Sequence, residues 1–220
     1  MNTLSFSFCG AELCALPSGG LHWPGESTLI VSDLHLGKAE RTARRGGPIL
    51  PPYEVIETLD RLLEDIAFTT PRTVICLGDS FDDLTAAKAT KSVVSERLAP
   101  VLAGRRWLWI EGNHDPGPVE LTGEHLAEFT LGPLTFRHIA HPTGSGEVSG
   151  HYHPKTRLRL KGRTITRRCF LVDDSRLILP AYGTYTGGLF CHQAPLTTLI
   201  GPEAQTILTG PTPRALPLQR

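Results

Sequence analysis

The stretch Thr28–Gly37, TLIVSDLHLG, decides how the rest of the chain is read. Its first half is a short β-branched, apolar run of the kind that forms a buried strand, and it is closed at once by a carboxylate and an imidazole, Asp33 and His35. The same arrangement recurs three times. TVICL (Thr73–Leu77) runs into Gly78 and Asp79, WLWI (Trp107–Ile110) into Gly112, Asn113, His114 and Asp115, and the short Glu147–Ser149 run into Gly150, His151, Tyr152 and His153. In α/β sheets the carboxyl ends of the strands converge on one crevice, so clusters far apart in sequence can meet in space.

Outward from these runs the chain alternates. EVIETLDRLLEDIA, between the first two, places Val55, Ile56, Leu59, Leu62, Leu63 and Ile66 at helical spacing, and TAAKATKSVVSERLAPVLA forms a second helix before Trp107. Strand, helix, strand, helix, strand is the order of a layered α/β protein. Leu134–Arg137, Cys169–Val172 and Leu177–Leu179 read as further strands in a C-terminal half with little helix. The expectation is one domain over residues 1–210, followed by a loose proline-rich tail at 211–220. With 22 basic and 22 acidic residues a uniformly basic nucleic-acid coat is excluded. Five scattered cysteines without a C-x-x-C pair argue against a disulfide framework and against a thiolate zinc site. No apolar run approaches the roughly 18 residues of a membrane span, and MNTLSFSFCGAEL lacks a basic region before an apolar one, so the expectation is a cytoplasmic protein without a membrane partner.

Asp33, Asn113 or any single histidine would be unremarkable alone, as a turn cap, a loop residue or a satisfied core imidazole. The set is different, because D-x-H, G-D, G-N-H-D and G-H-x-H occur in this order, each after an apolar strand. Mixed carboxylate, amide and imidazole donors suit Mn, Fe, Zn or Co ions, and an aspartate can bridge two of them.

The series SDLHLG, GDSFDD, EGNHD, a lone histidine and GHYHP resembles the signature of the calcineurin-like metallophosphoesterase superfamily. The flanks SDLHLGKAERTARRGG, FRH, GEVSGHYHP and LPAYGTYTGGL narrow the resemblance to the bacterial ligase-associated DNA-repair endonucleases, over roughly residues 20 to 190. The resemblance implies a four-layer α/β/β/α sandwich and two divalent ions, most simply Mn. It implies one ion held by Asp33, His35, Asp79 and His153 and a second by Asp79, Asn113, His151 and the lone histidine. It also implies that His114 is a proton donor or transition-state stabiliser oriented by Asp115. Two ions about 3.5–4 Å apart can clamp a phosphodiester and lower the pKa of a water. Asp82 departs from the pattern, standing where the family has a histidine, which touches hydrogen bonding behind the metals or metal preference. For the lone histidine, His138 at the end of LTFRH is favoured over His141, three residues on in a turn; His22, His125 and His192 lack such context.

A second signal comes from charge. Residues 155–168, KTRLRLKGRTITRR, carry seven of the 22 basic residues and no acid. Lys155, Arg157, Arg159, Lys161 and Arg163 alternate, and a hairpin turning near Lys161 and Gly162 would present them as a ridge for a phosphate backbone, starting two residues after His153. Guarding an exposed sheet edge is the competing reading. Lys38 and Arg41, with Arg44 and Arg45, could grip a phosphate from the other side. Tyr182 and Tyr185 read as core or turn packing ahead of base stacking. The expected function is metal-dependent phosphodiester hydrolysis, as endonucleolytic cleavage of DNA in repair, with a link to a DNA ligase and a helicase by resemblance. The rivals are a phosphodiesterase or phosphatase for a small molecule, and a scaffold that has lost the chemistry.

Overall fold

Side-chain alternation along the apolar runs gives the molecule separate cores on the two faces of each sheet. The computed structural model describes residues 1–117, 121–160 and 162–218. Its elements run β1 (Leu4–Phe8), β2 (Ala11–Ala15), β3 (Leu21–Trp23), β4 (Thr28–Val31), α1 (Lys38–Arg44), α2 (Glu54–Thr69), β5 (Thr73–Leu77), α3 (Leu84–Leu102), β6 (Arg106–Ile110) and β7 (Glu124–Leu126). The second half continues with β8 (Glu128–Leu131), β9 (Leu134–Arg137), β10 (Glu147–Ser149), β11 (Lys155–Leu160), β12 (Arg163–Val172), β13 (Arg176–Ile178), α4 (Leu196–Leu199), β14 (Gln205–Leu208) and β15 (Arg214–Pro217).

The first sheet keeps sequence order from β1 to β7, and β4 to β7 are parallel. The second has the order β15-β14-β12-β13-β10-β9-β8, with β9, β10 and β13 parallel and β11 paired to β12 off this path. Ile30, Ile75, Leu77, Leu108 and Ile110 of the first sheet meet Phe136, Val148, Phe170 and Leu177 of the second. Their neighbours Leu29, Val31, Val74, Cys76, Trp107 and Trp109 point the other way, onto Leu59, Leu62 and Ile66 of α2 and Val94 and Leu98 of α3. On the far face of the second sheet Cys169, Leu171 and Ile178 are covered by Cys191, Leu196, Ile200 and Ala204. This is the α/β/β/α sandwich in a single domain, with its fourth layer reduced to the one-turn α4 and its flanking loops. All five cysteines are free thiols, three of them buried. Among the described residues no helix is long and apolar enough to cross a membrane.

One region goes beyond the sequence reading and one expectation needs correction. The N-terminal strands β1 to β3 were not legible as such, although they supply Phe8, Leu13 and Leu21 to the central core. The proline-rich end is not a loose tail: Arg214–Pro217 forms β15, antiparallel to β14 from Gln205↔Pro217 to Leu208↔Arg214. An edge strand has an outward row of unpaired groups, so it tolerates proline where a central strand would not.

The LPAYGTYTGGL segment braces the first ligand loop. Tyr182 N donates to Ser32 O (2.8 Å) and Gly183 N to Asp33 O (3.0 Å). Guanidiniums hold its carbonyls from two sides, Arg61 on Tyr182 O (2.6 Å) and Arg168 on Ala181 O and Thr184 O (3.1 and 3.0 Å). The buried Tyr182 hydroxyl and the Ser18 hydroxyl both donate to Asp65 Oδ2 (2.8 and 2.6 Å), tying the segment to α2. Replacing Tyr182 by Phe leaves Asp65, a buried acceptor, with one donor fewer, and we expect a loss of about 1–3 kcal/mol in urea unfolding at pH 7.

Candidate metal centre

Five strands from both sheets end at one place. Asp33 and His35 follow β4, Asp79 follows β5, Asn113 follows β6, His138 follows β9, and His151 and His153 follow β10. Asp33, His35, Asp79, His151 and His153 all have positive φ, between 45° and 69°, so the backbone reverses sharply under each and turns its side chain inward. Gly150 makes room for this: a Cβ there would collide with Ser32 Oγ and Asp33 Oδ2.

The donor atoms crowd together. Three groups, Asp33/His35/His153, His35/Asp79/His114 and Asp79/His138/His151, each offer ligand atoms within 4.8 Å of one another. His35 Nε2 lies 3.3 Å from His153 Nε2, which is 3.1 Å from Asp33 Oδ1. His138 Nε2 lies 3.0 Å from Asn113 Oδ1, 3.2 Å from His151 Nδ1 and 3.3 Å from Asp79 Oδ2. His35 Nε2 is 3.9 Å from that same Asp79 oxygen, so Asp79 stands between the two sets. Nitrogens and carboxylate oxygens that converge so closely without covalent or helical reason fit divalent cations, one toward Asp33, His35, Asp79 and His153 and one toward Asp79, Asn113, His138 and His151.

The electrostatics say the same. Burial would raise the Asp79 carboxyl, but His138 and the backbone N–H of His114 bring it down to about 2. Burial would lower His138, but Asp79 and Asp33 raise it to about 9. Asp33 is wholly buried and still held below the usual carboxylate range by His153 and His138. His151 is pushed down by burial and by His138.

The residues behind these donors set their directions. His138 Nδ1 donates to Leu77 O (2.8 Å) and frees Nε2. Ser32 Oγ and His151 N both donate to the Asp33 carboxylate (2.5 and 3.0 Å). His141 lies outside the cluster, exposed in a turn with its Nδ1 on Thr143 Oγ1 (3.1 Å). His114 is half-buried, with Nε2 4.0 Å from Asp79 Oδ2. Its Nδ1 donates to Asp82 O (2.8 Å), so the expected orientation by Asp115 gives way to a main-chain carbonyl. Asp115 organises a different loop, accepting from Asp79 N (3.0 Å) and Phe81 N (3.1 Å). Burial and the nearby Asp79 raise its carboxyl to about 7.

The basic residues fall into two groups. Lys38 and Arg41 are partly exposed and engaged by acids of the protein: Lys38 Nζ and Arg41 each pair with Asp82 at 3.0 Å, and Arg41 also pairs with Asp83. The hairpin forms where expected, as β11 and β12, but its register divides the ridge. Opposite residues of an antiparallel pair share a face, and Lys155↔Arg168, Arg157↔Thr166 and Arg159↔Thr164 form one set. Arg163 pairs with Leu160 and lies on the opposite face with Arg167, because the turn reverses the alternation that a single strand would keep. Lys161 lies outside the described residues. Lys155 and Arg157 also pack over the Phe190 ring, 4.7 and 4.2 Å from its centroid.

With this geometry in place, comparison with known proteins is decisive. The calcineurin-like phosphoesterase family profile matches residues 27–193. The chain belongs to that family. Among solved structures it is similar to the nuclease MPE of Pseudomonas putida, with 28% identity, a TM-score of 0.76, and 99% of this chain and 100% of that one covered. No curated protein matches at the same stringency. The protein is a metal-dependent phosphoesterase whose family binds divalent metals.

Sequence reasoning missed what surrounds this phosphoesterase's donors. Arg61 and Asp65 lie in no motif, and only the fold brings them and Arg168 to the ligand loops, while Ser32, inside SDLHLG, shows its bond to Asp33 only in the structure. The geometry separates the two candidate histidines experimentally. After loading with a divalent metal and desalting, we expect His138→Ala to retain less metal than wild type by metal analysis, and His141→Ala to retain as much; the reverse pattern would move the ligand to the turn.

Proposed function

We propose that this phosphoesterase is a DNA endonuclease that uses two Mn ions and acts in DNA repair. The observation that carries the reading is the position of the hairpin's cationic face. Lys155, Arg157 and Arg159 share it with Arg168, whose guanidinium reaches the 181–184 loop that braces Asp33. A phosphodiester backbone lying along this face would run toward the donor cluster, and the likeness to a nuclease supports the same reading. The link to a DNA ligase and a helicase rests on the family resemblance alone, and a cytoplasmic setting on the sequence, which has no apolar run of membrane-spanning length and no basic region before an apolar one at MNTLSFSFCGAEL.

Bound at the donor cluster, the two ions would neutralise the phosphodiester and lower the pKa of an attacking water. Asp79 would hold both, Asp33, His35 and His153 one, and Asn113, His138 and His151 the other. His114 has its Nδ1 proton occupied by Asp82 O, so its Nε2 is the atom that can carry a proton to the departing oxygen as the P–O bond breaks. His114→Ala should then retain its metal and lose about 10²–10⁴ in rate on esters with poor leaving groups, with a much smaller loss for p-nitrophenolate, which leaves without a proton. Equal losses across a series of aryl phosphodiesters would assign His114 to phosphate positioning instead.

The substrate class is tested through the hairpin. Arg157→Gln with Arg159→Gln should weaken DNA binding and flatten its dependence on salt, by about 0.7–0.9 in log–log slope per phosphate contact removed, while hydrolysis of bis-p-nitrophenyl phosphate stays near wild type. Arg163→Gln with Arg167→Gln, on the opposite face, should change the slope far less. Unchanged DNA affinity in a well-folded Arg157/Arg159 variant would favour a small phosphodiester as the substrate.

A further inference from the structure

The second donor set borders a hollow. Glu111 and Asn113 after β6, with Glu128, Arg137, His138 and Ile139 at the edge of the second sheet, line an open cleft of about 360 Å³. Asn113 and His138 belong to the donor cluster, so a group filling this cleft lies against the centre itself. We propose that the cleft is a nucleoside subsite: it takes the sugar and base joined to the cleaved phosphodiester on one side of the cut, and Glu111 favours bases that carry an exocyclic amine.

Charge argues against a second phosphate in the cleft. Arg137, the cation among the described lining residues, is already taken: it pairs with Glu128 Oε2 at 2.6 Å and, through Nε, with the buried Glu147 Oε1 at 3.1 Å. Glu111 is exposed, and among the described residues its carboxylate has no hydrogen bond or ion pair. A phosphate brought here would meet an unneutralised acid. The other donor set, Asp33, His35 and His153, instead leads within two residues into the cationic hairpin at Lys155. The two sides of the centre are therefore unlike, one suited to a phosphate backbone and the other to a neutral group that offers donors.

The walls suit a base. Ile139, directly after His138, leaves 44% of its surface exposed and gives the cleft an aliphatic side. Glu111 is held in place by its main chain. Its N donates to Leu126 O at 2.9 Å, and the next residue, Gly112, packs so closely on the Asp79 loop that a β-carbon there would strike Asp79 N and Asp115 Oδ1. An apolar wall with a few placed polar groups is the usual make-up of a small-ligand pocket, and the volume lies near the lower end of the range of about 300–1,000 Å³ for such sites. A carboxylate accepts and cannot donate, so it pairs with the amine of cytosine, adenine or guanine. Thymine lacks that amine and turns a carbonyl oxygen toward the acid in its place.

This subsite rests on the reading of the protein as a DNA nuclease, and two readouts separate them. Sequencing the ends released from random single-stranded DNA by the Mn²⁺-loaded protein should show thymine depleted about three- to tenfold next to the cut, on one side of it only. Glu111→Gln, whose amide offers a donor as well as an acceptor, should flatten that position and leave the rest of the pattern. Glu124→Gln, an exposed acid of β7 paired with Arg106 outside the cleft, should keep the wild-type bias. The second readout needs no catalysis. In the metal-free protein, deoxycytidine should shift the amide resonances of Gly112, Asn113 and Ile139, and should do so at lower concentration than thymidine. Absence of thymine depletion, a bias that survives Glu111→Gln, or shifts confined to other parts of the surface would overturn the subsite. If DNA stays intact while bis-p-nitrophenyl phosphate is hydrolysed, the nuclease reading fails instead, and the nucleoside titration alone decides whether the cleft takes a base.

Discussion

The backbone under Asp33, His35, Asp79, His151 and His153 is left-handed, and most of what surrounds these residues exists to keep it so. Side chains with a β-carbon pay of order 1–3 kcal/mol for such a conformation, so it persists only where neighbours over-determine it. Here the neighbours can be named. Asp33 N donates to Gly78 O, His35 N to Asp79 O, and Gly150 N to His138 O, so each ligand loop is hydrogen-bonded to the loop of another strand. Asp115 adds two acceptors under the Asp79 loop, and the Tyr182 segment adds donors under the Asp33 loop. A change in any one loop is therefore felt by the donors of two.

The same crowding accounts for the charges. Asp33 and Asp79 are buried acids that burial alone would protonate, yet imidazoles and backbone N–H groups keep both ionised. Asp115, an acid of similar burial beside a like charge, is raised to about 7 instead. The difference is one of partners, since Asp115 receives only backbone donors. Carboxylates kept anionic among imidazole nitrogens at 3–4 Å are what a divalent cation needs, and the ion would replace protons that now sit between these groups.

Position, more than total charge, links the centre to a substrate. The chain is neutral overall, with 22 residues of each sign, so long-range attraction of a polyanion is not a property of the whole molecule. It is concentrated in one hairpin, and the antiparallel register sends Lys155, Arg157, Arg159 and Arg168 to one side of it. Lys38 and Arg41, equally basic in sequence, are consumed by Asp82. Two similar-looking basic groups thus differ in what they can offer to a phosphate.

The sequence by itself determined the layered α/β class and the strand-end clusters, because burial on both faces demands continuous apolar runs and because donors placed after such runs are visible as motifs. It also carried His138 over His141 as the better-placed histidine, since a strand's end points into the crevice and a following turn does not. Only the tertiary structure decided the partners: that Asp82 backs His35, that Asp115 serves the Asp79 loop and not His114, and that Arg163 leaves the ridge. The proline-rich end shows the same limit, as β15 exists only because β14 offers it an edge. The Asp82 and Asp115 contacts join residues tens of positions apart, and the two hairpin pairings are set by register, for which local periodicity contains no term.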